Sequence, residues 1–163
     1  MFSKFSKLLS TILILLSLTA CFIAETKTIY DYRNKYIGDN SKTINVVSQL
    51  NFDESLNYDH MAIEYAGDLN ILELYFTSDT SQINADLELN LFKNSSILYA
   101  LIENLDQVDI YINSEVCYST SKEEVENSGI FLKNFNEYFN SEEYFYEFEN
   151  ELKEIDREDL NKL

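Results

Sequence analysis

The chain has no proline, no tryptophan, three glycines, one histidine and two cysteines in 163 residues. Each scarcity excludes something. Without proline and with so little glycine, most turns must be built from Asn, Asp and Ser. A single histidine, His60, cannot supply the several imidazoles typical of catalytic zinc. A Ser-His-acid triad would have to use His60 and would need a serine elbow, yet no GxSxG is present. A Cys117–His60 pair has no local signature. Neither GxGxxG nor GxxxxGK occurs to cradle a phosphate, and no D-x-[DN]-x-[DN]-G loop occurs to wrap calcium. Asp53-Glu54 with Asp59, or Asp31 with Asp39, leaves weak calcium binding open. No cofactor, metal or enzymatic activity is expected. Carboxylates are so numerous that an envelope glycan hydrolase using a carboxylate pair stays as the alternative, although such enzymes usually also offer Trp platforms.

Cations are scarce too: 12 Lys and Arg stand against 29 Asp and Glu, a formal charge of −17. So acidic a surface argues against nucleic acid and against peripheral binding to anionic lipid, and admits basic partners. What is abundant is apolar and aromatic: 45% hydrophobic residues, with 12 Tyr and 11 Phe, enough for one folded domain rather than a disordered chain.

The first 21 residues read MFSKFSKLLSTILILLSLTAC. Lys4 and Lys7 form a positive n-region, and Leu8–Leu18 is an apolar run shorter than the roughly 20 residues of a bilayer span. Leu18-Thr19-Ala20-Cys21 resembles the bacterial lipobox. Such signals have the cysteine thiol acylated with diacylglycerol and are cut just before it. The expectation is therefore a signal peptide over 1–20, lipidation at Cys21, a short tether over 21–27 and one domain over 28–160. Removing residues 1–20 takes two lysines and no acid, leaving 10 cations against 29 acids, a charge of −19. Acylated Cys21 also leaves Cys117 without a disulfide partner. A buried thiol at the end of a strand is expected there.

Along the rest of the chain, periodicity predicts the elements. In YRNKYIGDNSKTINVVSQL (32–50), Gly38 offers a positive-φ turn and Ser41 an N-cap, followed by Ile44, Val46, Val47 and Leu50 on one side of a helix. His60–Thr77 alternates in two arms about Gly67-Asp68, a β-hairpin. LELNLF reads as a third strand or as the lead-in to a helix. That helix is KNSSILYALIENL, stopped near Asn104. QVDIYIN is a strand with Val108, Ile110 and Ile112 inward. Thr120-Ser121-Lys122-Glu123 fits a capping box for a short helix ended by Gly129. Ser141 opens a last helix with Tyr144, Phe145, Phe148, Leu152 and Ile155 on one face, Tyr146 opposite, and a frayed end at 161–163. The order predicts an α+β fold: a single domain with a small, largely antiparallel sheet packed with helices.

Two stretches, YIGDNSK and NSSILYALIENLDQV (94–108), together resemble the "domain of unknown function four-eight-two-five" family of Firmicutes. The tail TSKEEVENSGIFLKNFNEYFNSEEYFYEFENEL is similar to the family's closing helices, so the likeness spans about Thr28–Leu152. Ala66-Gly67-Asp68-Leu69-Asn70 departs from the EPYGL-like turn of the family's hairpin. The resemblance implies small lipoproteins, or outer domains of proteins like the BlaR-type sensor peptidases, with no catalytic set. These observations converge on a lipid-anchored module on the outer face of the cytoplasmic membrane. Its expected role is non-enzymatic binding, sensing or accessory work, with the membrane and an envelope or membrane protein as partners and no nucleic acid. Tyr32, Arg33, Tyr36 and Asp39 are the candidate binding residues, grouped where helix-start amides favour an anion.

Overall fold

The computed structural model describes residues 27–79 and 83–163. The expected signal peptide, Cys21 and all of the expected tether but Lys27 lie outside the described residues. Chain order explains the sheet. β1 (Asn57–Ala66) and β2 (Leu69–Thr77) form the predicted antiparallel hairpin. Gly67 takes φ +65° at the first of the two loop positions, which matches the right-handed twist of the arms. β2 then pairs in parallel with β3 (Gln107–Ile112). A parallel pair needs a crossover, and the long helix between them provides it. β3 turns back into β4 (Glu115–Ser121), giving the order β1-β2-β3-β4. Two of the three pairings are antiparallel, as the α+β reading expects.

The helices are α1 (Asn40–Val47), α2 (Ala85–Leu101), α3 (Lys122–Asn127), α4 (Phe135–Asn140) and α5 (Glu142–Glu154), with 3₁₀ turns at Ile29–Tyr32 and Asp159–Lys162. They cover one face of the sheet. Leu72, Leu74, Phe76, Val108, Ile110 and Ile112 alternate onto that face and are buried against Leu91, Leu98 and Phe92 of α2. The aromatic run at the C-terminal end is core: Phe135, Tyr138 and Phe148 are buried and pack ring on ring with Phe131, and buried Phe145 packs on Phe148. Tyr146 is exposed, as expected, but so is Tyr144, whose ring lies under Lys133 at 4.6 Å.

Several boundaries differ from the sequence reading, each for a local reason. LELNLF is the lead-in to the helix, the second of its two readings, because Asn84 accepts hydrogen bonds from Asp86 N–H and Leu87 N–H and starts α2 there. α2 stops at Leu101 rather than near Asn104, since Ile102 turns extended to bridge Asn34. α1 is capped by Asp39, not Ser41. Its carboxylate accepts from Lys42 N–H (3.3 Å), and a negative cap suits the helix start. The stripe that α1 buries is accordingly Thr43, Val46 and Val47, while Ile44 faces solvent. Gly38 does not take the expected positive φ. The capping box sits one residue later, with Ser121 and Glu124 exchanging bonds at the last residue of β4. β4 and α4 were not foreseen as separate elements.

Candidate functional site

Tyr32–Leu50 is first of all a clasp. Asn34, buried, donates Nδ2–H to Tyr36 C=O (2.7 Å) and to Thr43 Oγ1 (3.0 Å). The Thr43 hydroxyl in turn donates to Ile37 C=O (2.7 Å). On the backbone, Asn34 N–H donates to Leu101 C=O (2.7 Å) and its carbonyl accepts from Glu103 N–H (3.0 Å). Ile37 N–H donates to Asn104 Oδ1 (2.7 Å). The two stretches that carry the resemblance thus meet in space, the loop before α1 locked onto the end of α2. Buried polar groups paired this fully fix a unique geometry. Asn34, Thr43 and Asn104 were missed in the sequence; the only available signal was that Asn recurs in both stretches.

The four candidate residues do not converge on one point. Arg33 lies over the ring of Tyr30, 4.2 Å from its centroid, and donates to Tyr30 C=O. Lys27 approaches the ring of Tyr32 at 5.8 Å. Asp39 caps α1 and pairs with Lys42 Nζ (3.2 Å). Tyr36 is 60% exposed and shares Asp39's turn, its carbonyl accepting from Asp39 N–H (2.9 Å). Tyr36 and Asp39 are therefore neighbours, while Arg33 and Tyr32 are engaged within the 3₁₀ turn and with Lys27.

Beside this clasp runs a groove of about 660 Å³. Gly38, Asn40 and Ile44 form one wall and Tyr58–Ile63 with Tyr65 the other, so the groove follows the outer edge of β1. Ile44, Tyr58 and Tyr65 are exposed apolar side chains on it, and Ile44 and Tyr58 also line a smaller apolar recess of about 250 Å³ with Val47, Leu50 and Phe52. A Cβ at Gly38 would come within 3.1 Å of the Tyr65 hydroxyl, a tight contact with the end of a flexible side chain.

The backbone of this wall is open. A two-residue turn is closed by a bond between its flanking residues, here Ala66 and Leu69. Antiparallel pairs alternate, so Glu64, Ala62 and His60 direct their amides and carbonyls to β2. Tyr65, Ile63 and Met61 direct theirs outward, into the groove. Among the described residues no loop, turn or side chain hydrogen-bonds to the backbone of these three.

The sheet face away from the helices carries a different arrangement. His60, Tyr75 and Tyr111 stack face to face across β1, β2 and β3, at 4.3 Å and 4.5 Å between centroids and 6° and 12° between planes. Glu73, almost buried, accepts hydrogen bonds from Tyr75 (2.9 Å) and Tyr111 (3.0 Å). That bond to Glu73 pushes the Tyr111 phenol up to about 12, and partial burial followed by the same carboxylate raises Tyr75. Both phenols are therefore donors at neutral pH. Tyr75, the middle ring, has both faces covered by its neighbours. Asp109, next to Glu73 in register, accepts from Ser119 Oγ (2.6 Å) and Gln107 Nε2 (2.9 Å). Among the described residues no group of three or more His, Cys, Asp or Glu side chains is placed to hold a metal ion, and no helix is long and apolar enough to cross a membrane.

An α+β domain with a four-stranded mixed sheet, helices on one face and an open groove along one strand edge is the class that fold and site define. A model of the family described as "Domain of unknown function (DUF4825)" matches residues 29–123, more than half of the chain, and the protein belongs to that family. The match contains both stretches that suggested it and every residue lining the β1 groove, and it ends before α4 and α5. Neither the curated proteins nor the solved structures contain a significant match.

Proposed function

We infer that the protein is a lipoprotein anchored through Cys21 on the outer face of the cytoplasmic membrane, and that its domain is a non-enzymatic binding module for an envelope or membrane partner. The groove along β1 is its binding surface. The observation that carries this reading is the conjunction of an unpaired strand edge with exposed Ile44, Tyr58 and Tyr65 in one groove. Exposed Ile44 beside two exposed tyrosines in one groove of a domain this acidic supports a binding surface. The lipobox-like stretch supports the location. Two acyl chains hold a protein stably on a bilayer, and six tether residues reach at most about 20 Å, which keeps the domain close to the membrane.

Two measurements test the two halves separately. Metabolic labelling with an alkyne fatty acid should mark the native protein and not Cys21→Ala; equal labelling of both would end the anchoring claim. A photo-crosslinking residue at Tyr65 should give a discrete adduct on intact cells that Ile44→Glu abolishes, while the same probe at Val116 on β4 gives none. Adducts of equal pattern from both positions would remove the groove from the account.

A further inference from the structure

We propose that the β1 groove takes an extended peptide that adds to the sheet as a fifth strand, with apolar side chains alternating with Lys or Arg. This rests on the reading of the groove as the binding surface and names its occupant.

The backbone supplies the first argument. Met61, Ile63 and Tyr65 present three successive sets of outward amides and carbonyls on a ten-residue strand. Such an edge is a template for another strand, and folded proteins usually guard it with a cover or a run of charge. Here the stretch from Met61 to Ala66 carries one charge, Glu64, and α1 stands back from it by the width of the groove. Main-chain pairing of this kind gives affinity, and pockets for alternate side chains give selectivity.

Side-chain geometry then fixes the pattern. Successive residues of an added strand point to opposite faces of the sheet. Those on the helix side enter the groove, against Ile44, Tyr58 and Tyr65, and are apolar. Those on the other side stand beside Glu64, and are cationic. Total charge selects between possible occupants. A second copy pairing edge to edge would bring two bodies of −19 together, whereas a basic peptide is drawn in by the same field.

The test selects a random dodecamer library, displayed on phage, against the acylated full-length protein in detergent. Enriched sequences should alternate apolar and basic residues. A synthetic winner should slow exchange at the Met61, Ile63 and Tyr65 amides and leave those of His60, Ala62 and Glu64, already paired, unchanged. N-methylation of its alternate amides, which removes ladder bonds and keeps every side chain, should weaken binding at least about tenfold. Glu64→Lys, an exposed change, should turn the preference from basic to acidic peptides. Peptides that shift Gly38, Tyr58 and Tyr65 yet tolerate N-methylation would overturn strand addition and leave the groove as the binding surface. Enriched peptides that map elsewhere, or no enrichment, would overturn both. A concentration-dependent dimer protecting the same three amides would give the edge to a second copy and overturn the peptide.

Discussion

The two edge strands of the sheet are tied to the helix layer to different degrees. β4 is tied into the molecule from the helix layer. The Tyr99 hydroxyl, from α2, accepts from Val108 N–H (3.1 Å) and donates to Thr120 C=O (2.5 Å), joining β3 and β4 through one buried oxygen. Burial holds this phenol well above its ordinary value, so it stays a donor. Just past β4, Lys122 N–H donates to Asp106 C=O (2.8 Å) and Lys122 Nζ to Glu103 C=O (2.8 Å), burial pushing its ammonium pKa down. β1 has no such tie. It is the longer strand, bound to β2 along its length, and its other side faces the groove. The lesson is that the end of β4 is tied to the helix layer, while β1 is held by β2 alone and lines the larger groove on its other side.

Substitutions at the two edges should therefore differ in kind. Tyr99→Phe leaves a buried amide and a buried carbonyl without their partner and should lower the unfolding free energy by about 1–3 kcal/mol in urea titration. Tyr65→Phe, the matching change on the exposed β1 edge, should stay within about 0.5 kcal/mol. Equal losses would erase the contrast. Next in size, Thr43→Val breaks the hydroxyl relay from Asn34 to Ile37 and should cost about 1–2 kcal/mol while loosening the α1 wall of the groove. A smaller effect is expected at alkaline pH. Tyr111 binds its proton more tightly folded than unfolded, so this contribution is complete below pH 10 and is lost as pH rises through about 12. Tyr111→Phe should flatten that part of the stability profile, and an unchanged slope would detach Glu73 from the phenol. Smallest of all, Gly38→Ala should move stability by no more than about 0.5 kcal/mol, since its backbone is compatible and the Tyr65 hydroxyl can swing aside. It should still weaken any groove ligand.

Much of this architecture was legible in the residues. The β1–β2 hairpin announced itself through alternation around Gly67-Asp68, and α2 and α5 through their periodic apolar faces. β4 was not legible, because Val116-Cys117-Tyr118-Ser119-Thr120 lacks alternation and its strand is bulged where it pairs with Ile110 and Tyr111. Its turn also hides: Asn113 and Ser114 both take positive φ, a geometry normally signalled by glycine. Of the site, the loop at 32–50 was visible as something unusual, but its meaning was not. Asn34, Thr43 and Asn104 acquire a purpose only when α2 ends against the loop, and the groove exists only because β1 and α1 stand apart. Spacing along a chain does not encode such tertiary gaps.

Native-state amide exchange on the free, monomeric protein tests the open edge most directly. The account predicts an alternating record along β1: slow exchange at Ala62 and Glu64, which face β2, and fast exchange at Met61, Ile63 and Tyr65, which face the groove. Slow exchange at all five amides in the unliganded monomer would mean that the edge is already covered, and would contradict the assignment of β1 as the surface on which this protein works.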